Sequence, residues 1–425
     1  MRGALLISGC LTALLCGALG CGSQPTAGGT GTETVNTYAF LSTGEPARGA
    51  TVRVIDAEGW LDSTRSGSSP VIESTVVGDD GRFSMDPRTR AGIENLQIDY
   101  PGEALLLRHV HRDRLSGDTI RLDVPASYGG TLSSGTAPIS RLLLAGSAYQ
   151  ADVDASGAFS FPAVAAQAYA ALIVTNTTSP GLVTGGSVNL APGENVTDTG
   201  LNVSPARLLV DNFEGGVGPS ALGLIRPVLS WYAYSDSFDL TWDWDTRSWE
   251  WSKSIKGAPY GHSDMTITAI PDDRGGTAAE FVALLDSAYS YPYAGIGIPL
   301  ASLKSGGVDL SSMSAFSLRA AGSGTIRIRL ETQLLRNINN SDSHFTYSLA
   351  LDSTWRKYTI PIDSFTIQPA LSQPGQYTWQ DVARNVEFIE FHFSHVNNPG
   401  ADTLQLRIDD VYLENVTLDS LLLSR

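Results

Sequence analysis

The side chains most able to do chemistry gather in the second half of the chain. Arg327, Arg329 and Glu331 alternate with Ile326, Ile328 and Leu330, and Glu390, His392 and Ser394 alternate with Ile389, Phe391 and Phe393. A period of two buries one set in a core and turns the other to the opposite face of a sheet. If the two strands share a sheet, guanidinium, carboxylate and imidazole groups line one polar cleft. Arg only donates hydrogen bonds and an ionised Glu only accepts, so the pair can bind sugar hydroxyls in both senses. His344 is expected to add a further polar contact and Tyr293 a stacking ring. The segment 238–251, FDLTWDWDTRSWEW, reads as a hairpin with Trp242 and Trp244 on one strand face and Trp249 and Trp251 on a face of the next. Such rings pack on the apolar faces of pyranoses. The same alternation equally serves to fill a sandwich core, and the sequence leaves both readings open.

Catalysis needs a different signature. Glu331 and Glu390 form a hydrolytic pair only if their strands are neighbours, with carboxyls roughly 5–9 Å apart. The sequence contains no His-Glu-x-x-His, no Gly-x-Ser-x-Gly and no phosphate-cradling glycine loop. His109, His111 and Asp113 fall at alternate positions of an expected strand, as metal ligands could. Arg108 and Arg112 interleave with them and no third imidazole is near, which favours a solvated face. The expectation is therefore non-catalytic binding. The alternatives are a structural or adhesive surface protein that binds a protein partner, and a glycan-active enzyme.

Short apolar–polar alternations broken by Gly, Pro, Asp and Ser run through the whole body, without long helical periodicity, and predict an all-β chain. Charge divides it: residues 127–206 carry only Arg141, Asp152, Asp154, Glu194 and Asp198, while both flanks are richer. Seven of the eight tryptophans lie beyond Val210. These shifts suggest modules at 37–126, 127–206 and 207–425.

At the start, Arg2 and the apolar stretch 4–19 read as a secretory signal spanning 1–20, too short to cross a bilayer as a helix. All three cysteines lie within the first 21 residues, so nothing after Cys21 can form a disulfide or serve as a thiol ligand. Residues 21–36 begin with Cys21 and continue as a Gly/Thr/Ser-rich tether. The formal net charge of −16 opposes nucleic-acid binding, which calls for a basic stripe.

Three resemblances sharpen this. Ala18-Leu19-Gly20-Cys21 resembles a bacterial lipobox, which implies acylation at Cys21 and a membrane partner through the lipid, with the outer membrane or cell surface favoured as the location. Gly44-x-Pro46-x-x-Gly49-Ala50-x-Val52 with Asp80-Gly81-x-Phe83 resembles carboxypeptidase-regulatory-like domains. A weaker copy follows, opening at Tyr128-Gly129-Gly130 and repeating the turn at Asp154–Phe159, so two small immunoglobulin-like β-sandwiches are expected. Val210-Asp211-Asn212-Phe213-Glu214 and Leu406-Arg407-Ile408-Asp409-Asp410-Val411-Tyr412 resemble the first and last strands of galactose-binding-like jelly rolls, notably family 11 carbohydrate-binding modules. That resemblance implies polysaccharide as the partner. It also implies a structural calcium held by Glu214 and Asp409 or Asp410, with Asp211 nearby.

Overall fold

A computed structural model describes residues 35–418 apart from 58, 66, 87–92, 135–138, 176–180, 204–206, 219, 226–229, 237–238, 244–247, 253–262, 287–290, 301–306, 336–343 and 368–376. Strands dominate, and no helix among the described residues is long and apolar enough to cross a membrane.

The first sandwich pairs a sheet of order β4-β1-β7 with one of order β3-β2-β5-β6. The strands are β1 (Val35–Phe40), β2 (Thr51–Asp56), β3 (Val71–Val76), β4 (Arg82–Met85), β5 (Glu94–Tyr100), β6 (Glu103–Val110) and β7 (Thr119–Arg121). Alternate residues Val52 and Val54 of β2 meet Phe83 and Met85 of β4 in the core. The Asp80-Gly81 turn is not a hairpin, because β3 and β4 lie in different sheets and the turn carries the chain across. Gly81 has φ of 84°, where a side chain is strained, and Asp80 Oδ1 accepts the Arg82 N–H at 3.0 Å.

The second sandwich repeats this topology with every strand shifted by seven: β11-β8-β14 against β10-β9-β12-β13. Its strands are β8 (Ala126–Ser134), β9 (Ile139–Leu144), β10 (Gln150–Asp152), β11 (Ala158–Val164), β12 (Ala168–Thr175), β13 (Gly181–Asn189) and β14 (Asn195–Val203). The crossing turn recurs too. Gly157 also has φ of 84°, and its carbonyl accepts from Leu132 N–H at 2.9 Å, as Gly81 accepts from Ala39 at 2.8 Å.

The β9–β10 turn docks on the first sandwich. Trp60 Nε1 donates to Ser147 O at 2.8 Å, Asn95 Nδ2 to Gly146 O at 2.7 Å, and Gln97 Oε1 accepts from Ala148 N at 2.8 Å. Beside them Arg108 of β6 donates to Ala145 O at 2.9 Å, Gln167 Oε1 at 3.3 Å, and the carbonyls of Ala168 and Leu224 at 3.4 Å. Its ring neighbour is Tyr169, and burial lowers its pKa to about 10, so it stays charged at neutral pH. The strand expected to carry His109, His111 and Asp113 ends at Val110. His109 is left-handed (φ 54°) and Asp113 falls in the 3-10 turn Arg112–Leu115, so the three share no strand face. Arg112 between them is paired with Glu73 at 2.7 Å and Glu94 at 2.9 Å.

The C-terminal part is a jelly-roll-like sandwich of two sheets. One has the order β19-β20-β28-β22-β25, with β15 (Arg207–Asp211) also on β28. These strands are β19 (Asp264–Pro271), β20 (Thr277–Leu284), β22 (Ala315–Gly322), β25 (Arg356–Pro361) and β28 (Thr403–Glu414). The other has the order β16-β21-β27-β23-β24-β26. It comprises β16 (Tyr232–Ser235), β21 (Tyr293–Pro299), β23 (Thr325–Thr332), β24 (His344–Ala350), β26 (Thr366–Ile367) and β27 (Val386–Ser394). Ile326, Ile328, Leu330, Ile389, Phe391 and Phe393 all face inward as their alternation requires. Phe393 stacks on Phe281 and Phe391 meets Phe316 edge-on across the two sheets, with centroids 5.7 and 6.1 Å apart. The Trp-rich segment forms a two-stranded sheet of its own, β17 (Asp239–Asp243) with β18 (Ser248–Ser252), pairing Trp242 with Trp249.

Candidate functional site: the polar face of the second sheet

Because β23 and β27 are neighbours, their polar residues meet in register. Arg329 lies opposite Glu390 and Arg327 opposite His392, while Glu331 pairs across to His344 on β24. The rows continue through glycine: Glu390 faces Gly297 and then Tyr232, and His392 faces Gly295 and then Tyr234. A Cβ on either glycine would collide with the tyrosine ring beside it. These glycines let both tyrosines lie across β21 and reach β27.

The reach is used. Tyr232 OH donates to Glu390 Oε1 at 2.8 Å, and Arg329 Nη1 lies 3.3 Å from Glu390 Oε2 and 3.2 Å from His392 Nδ1. Arg cannot accept, so His392 Nδ1 accepts and the ring proton sits on Nε2. Burial and the Arg329 charge hold the His392 pKa well below its usual value, and burial with Glu390 raises both tyrosines. Burial opposes the Arg329 charge, but Glu390, Tyr234 and Glu331 outweigh it and raise its pKa. Tyr293 stacks on His392 at 5.6 Å, and Tyr234 does so at 6.0 Å. Arg327 Nη2 donates to Asn397 Oδ1 at 3.0 Å. Among the described residues, Arg329 Nε and Asn397 Nδ2 are buried without a hydrogen-bond partner.

Glu331, His344 and Glu390 each bring a ligand atom within 4.8 Å of the others, and this buried cluster could coordinate a metal. One imidazole with two carboxylates suits a zinc-class ion better than calcium, which prefers oxygen alone.

Six residues singled out from sequence, Tyr293, Arg327, Arg329, Glu331, His344 and His392, are thus brought onto one face. Tyr232 and Tyr234 were missed. Their signal was the match of Tyr232-Ala233-Tyr234 to Gly295-Ile296-Gly297, legible only once β16 and β21 are paired. Arg329, expected to stand exposed in a cleft, is only 12% exposed and ion-paired to a Glu390 that is 9% exposed. Trp242 is placed by its backbone alone; Trp244 and Cys21 lie outside the described residues.

The residues expected to hold calcium do not fit that ion. The Asp211 carboxylate accepts Trp231 Nε1 at 2.6 Å and the N–H groups of Phe213 and Ala221 at 3.1 and 3.2 Å. It therefore anchors a ring that stacks on Phe213. Burial pushes its pKa up to about 7, against the pull of these donors. Asp409 and Asp410 are ion-paired to Arg274, and Asp409 also to Arg319. Glu214 Oε1 accepts Thr277 N–H at 3.3 Å. Calcium needs six to eight oxygens at roughly 2.3–2.6 Å, and here guanidinium nitrogens hold the Asp409 and Asp410 oxygens while N–H donors take those of Asp211.

No family model matches the chain, and no curated protein does. Among solved structures, it is similar to the family 11 carbohydrate-binding module of the cellulosomal cellulase Lic26A-Cel5E of Clostridium thermocellum. Identity is 16%, covering 50% of this chain and 97% of that one, with a TM-score of 0.31. A family 11 module from the same organism, in complex with a β-1,3-1,4-mixed-linked tetrasaccharide, gives 18%, 50%, 98% and 0.31. A family 29 module complexed with mannohexaose gives 11%, 37%, 82% and 0.22.

Proposed function

We propose that the polar face of the second jelly-roll sheet binds a polysaccharide without cleaving it, on a protein exported and held at the outer membrane or cell surface by a lipid on Cys21. The observation that carries this reading is one sheet face that brings Arg327, Arg329, Glu390 and His392 into register beside the Tyr293 ring. Guanidinium only donates and carboxylate only accepts, so such a face bonds sugar hydroxyls in both senses while a ring packs on the sugar. The surrounding groups are already bonded to one another, which reduces the ordering cost of binding. Each sugar hydroxyl gives up water, so roughly 0.5–1.5 kcal/mol per bond survives and affinity is modest.

The test is a titration of the mature protein against soluble and insoluble polysaccharides, beginning with mixed-linkage β-glucans and mannans. Tyr293→Ala and Arg327→Ala should weaken binding several-fold. Failure to bind any glycan in a broad screen would sink the reading. A second reading draws on one observation: Glu331 and Glu390 each bring a carboxylate oxygen within 4.8 Å of the other, near the short end of the spacing a hydrolytic pair uses. Release of reducing sugar, abolished in Glu331→Gln, would replace binding with hydrolysis.

A further inference from the structure

The first and last strands of the jelly roll meet at a break in their ladder. β28 pairs with β20 as far as Ile408, opposite Ala279, and with β15 from Val411, opposite Asp211. Asp409 and Asp410 fall between, paired with neither β20 nor β15, while on the other edge Asp409 lies opposite Arg319 of β22 beside a shift in register, and Asp410 takes a left-handed φ of 51°. Into this gap the β19–β20 turn sends Arg274. Its three nitrogens each take a different carboxylate: Nε to Asp272 at 2.9 Å, Nη1 to Asp410 at 2.8 Å, and Nη2 to Asp409. Arg319 of β22 closes the other side, with Nη1 3.1 Å from Asp272 and 3.3 Å from Asp409, and Nη2 on Asp273. The Arg319 guanidinium lies 5.1 Å from the Trp355 ring centroid.

The carboxylates outnumber the cations, and the Asp409 side chain is 1% exposed. Converging buried carboxylates need a positive centre that reaches several at once. A guanidinium does so with a rigid fork of donors.

We propose that Arg274, backed by Arg319, takes the place of a divalent cation at this joint. The jelly roll is locked here by guanidinium groups, and calcium adds nothing to the joint. This holds whether or not the polar face of the other sheet takes a glycan.

Thermal unfolding of the mature protein in EDTA and in millimolar calcium tests this, because an ion bound only by the native state must raise its Tm. The parent protein should unfold at the same temperature in both buffers. Arg274→Ala should unfold several degrees lower in both, and Arg274→Lys, which keeps a charge at the joint without the fork of donors, should fall between the two. A parent Tm that rises with calcium would overturn the proposal. So would an Arg274→Ala protein that keeps the parent Tm.

Discussion

Replacing Arg329 by Ala removes the cation facing Glu390 and leaves that carboxylate with the hydroxyls of Tyr232 at 2.8 Å and Tyr234 at 3.4 Å. Both partners are nearly covered, and breaking such a pair typically costs about 3–5 kcal/mol. Arg329→Ala should therefore lose about 3–5 kcal/mol, a fall of roughly 6–20 °C in the transition of a module this size. Adding Glu390→Gln removes the stranded charge and should restore much of that loss. Urea unfolding followed by tryptophan fluorescence on the parent, the single and the double variants measures both. A loss under about 1 kcal/mol, or a double variant no more stable than the single, would refute the coupling.

Asp211 and Asp409 both have folded pKa values raised to about 7, chiefly by burial. A carboxyl whose folded pKa lies above its unfolded one favours folding below the unfolded value, near 4, and that gain is lost as pH rises through 7. The Tm should rise as pH falls from 8 to 6, and an Asp211→Asn protein should show a shallower rise in the same melting series. Gly295→Ala puts a methyl group into the Tyr234 ring and 2.8 Å from the Phe391 carbonyl oxygen. It should cost about 1–3 kcal/mol in chemical denaturation and weaken glycan binding more than Arg327→Ala does. Cys21→Ser should move the protein from membrane to soluble fractions; a variant still membrane-bound after a salt wash would end the lipid-anchor proposal.

What was legible in the sequence is what alternation encodes. Ile326, Ile328 and Leu330 announced an inward face, so Arg327, Arg329 and Glu331 had to share the other. The depth of that second face was not legible. Whether Arg329 meets solvent or Glu390 depends on β27, some sixty residues away, arriving in one register rather than another. The arginine partners of the expected calcium ligands were hidden for a similar reason. Asp409 and Asp410 read as free carboxylates until the turn at Arg274 is folded beside them, and their distance from it along the chain, 135 and 136 residues, hides the pairing. The repeat of the two small sandwiches was visible only at the glycine turns, because strand order is shared while the side chains that fill the cores have diverged.

Arg108 gives the order of the modules a meaning. Two copies of one topology suggest beads that recombination could add, drop or swap. Yet this buried guanidinium stands in the first sandwich, takes carbonyl or amide oxygens from Ala145, Gln167 and Ala168 of the second, and touches the Leu224 carbonyl beyond it. Excising residues 127–206, or exchanging the two copies, would strand a cation among groups that no longer offer it oxygen. The chain is therefore constrained as a fixed sentence of three words, and a shuffled version should express poorly even with every individual fold intact.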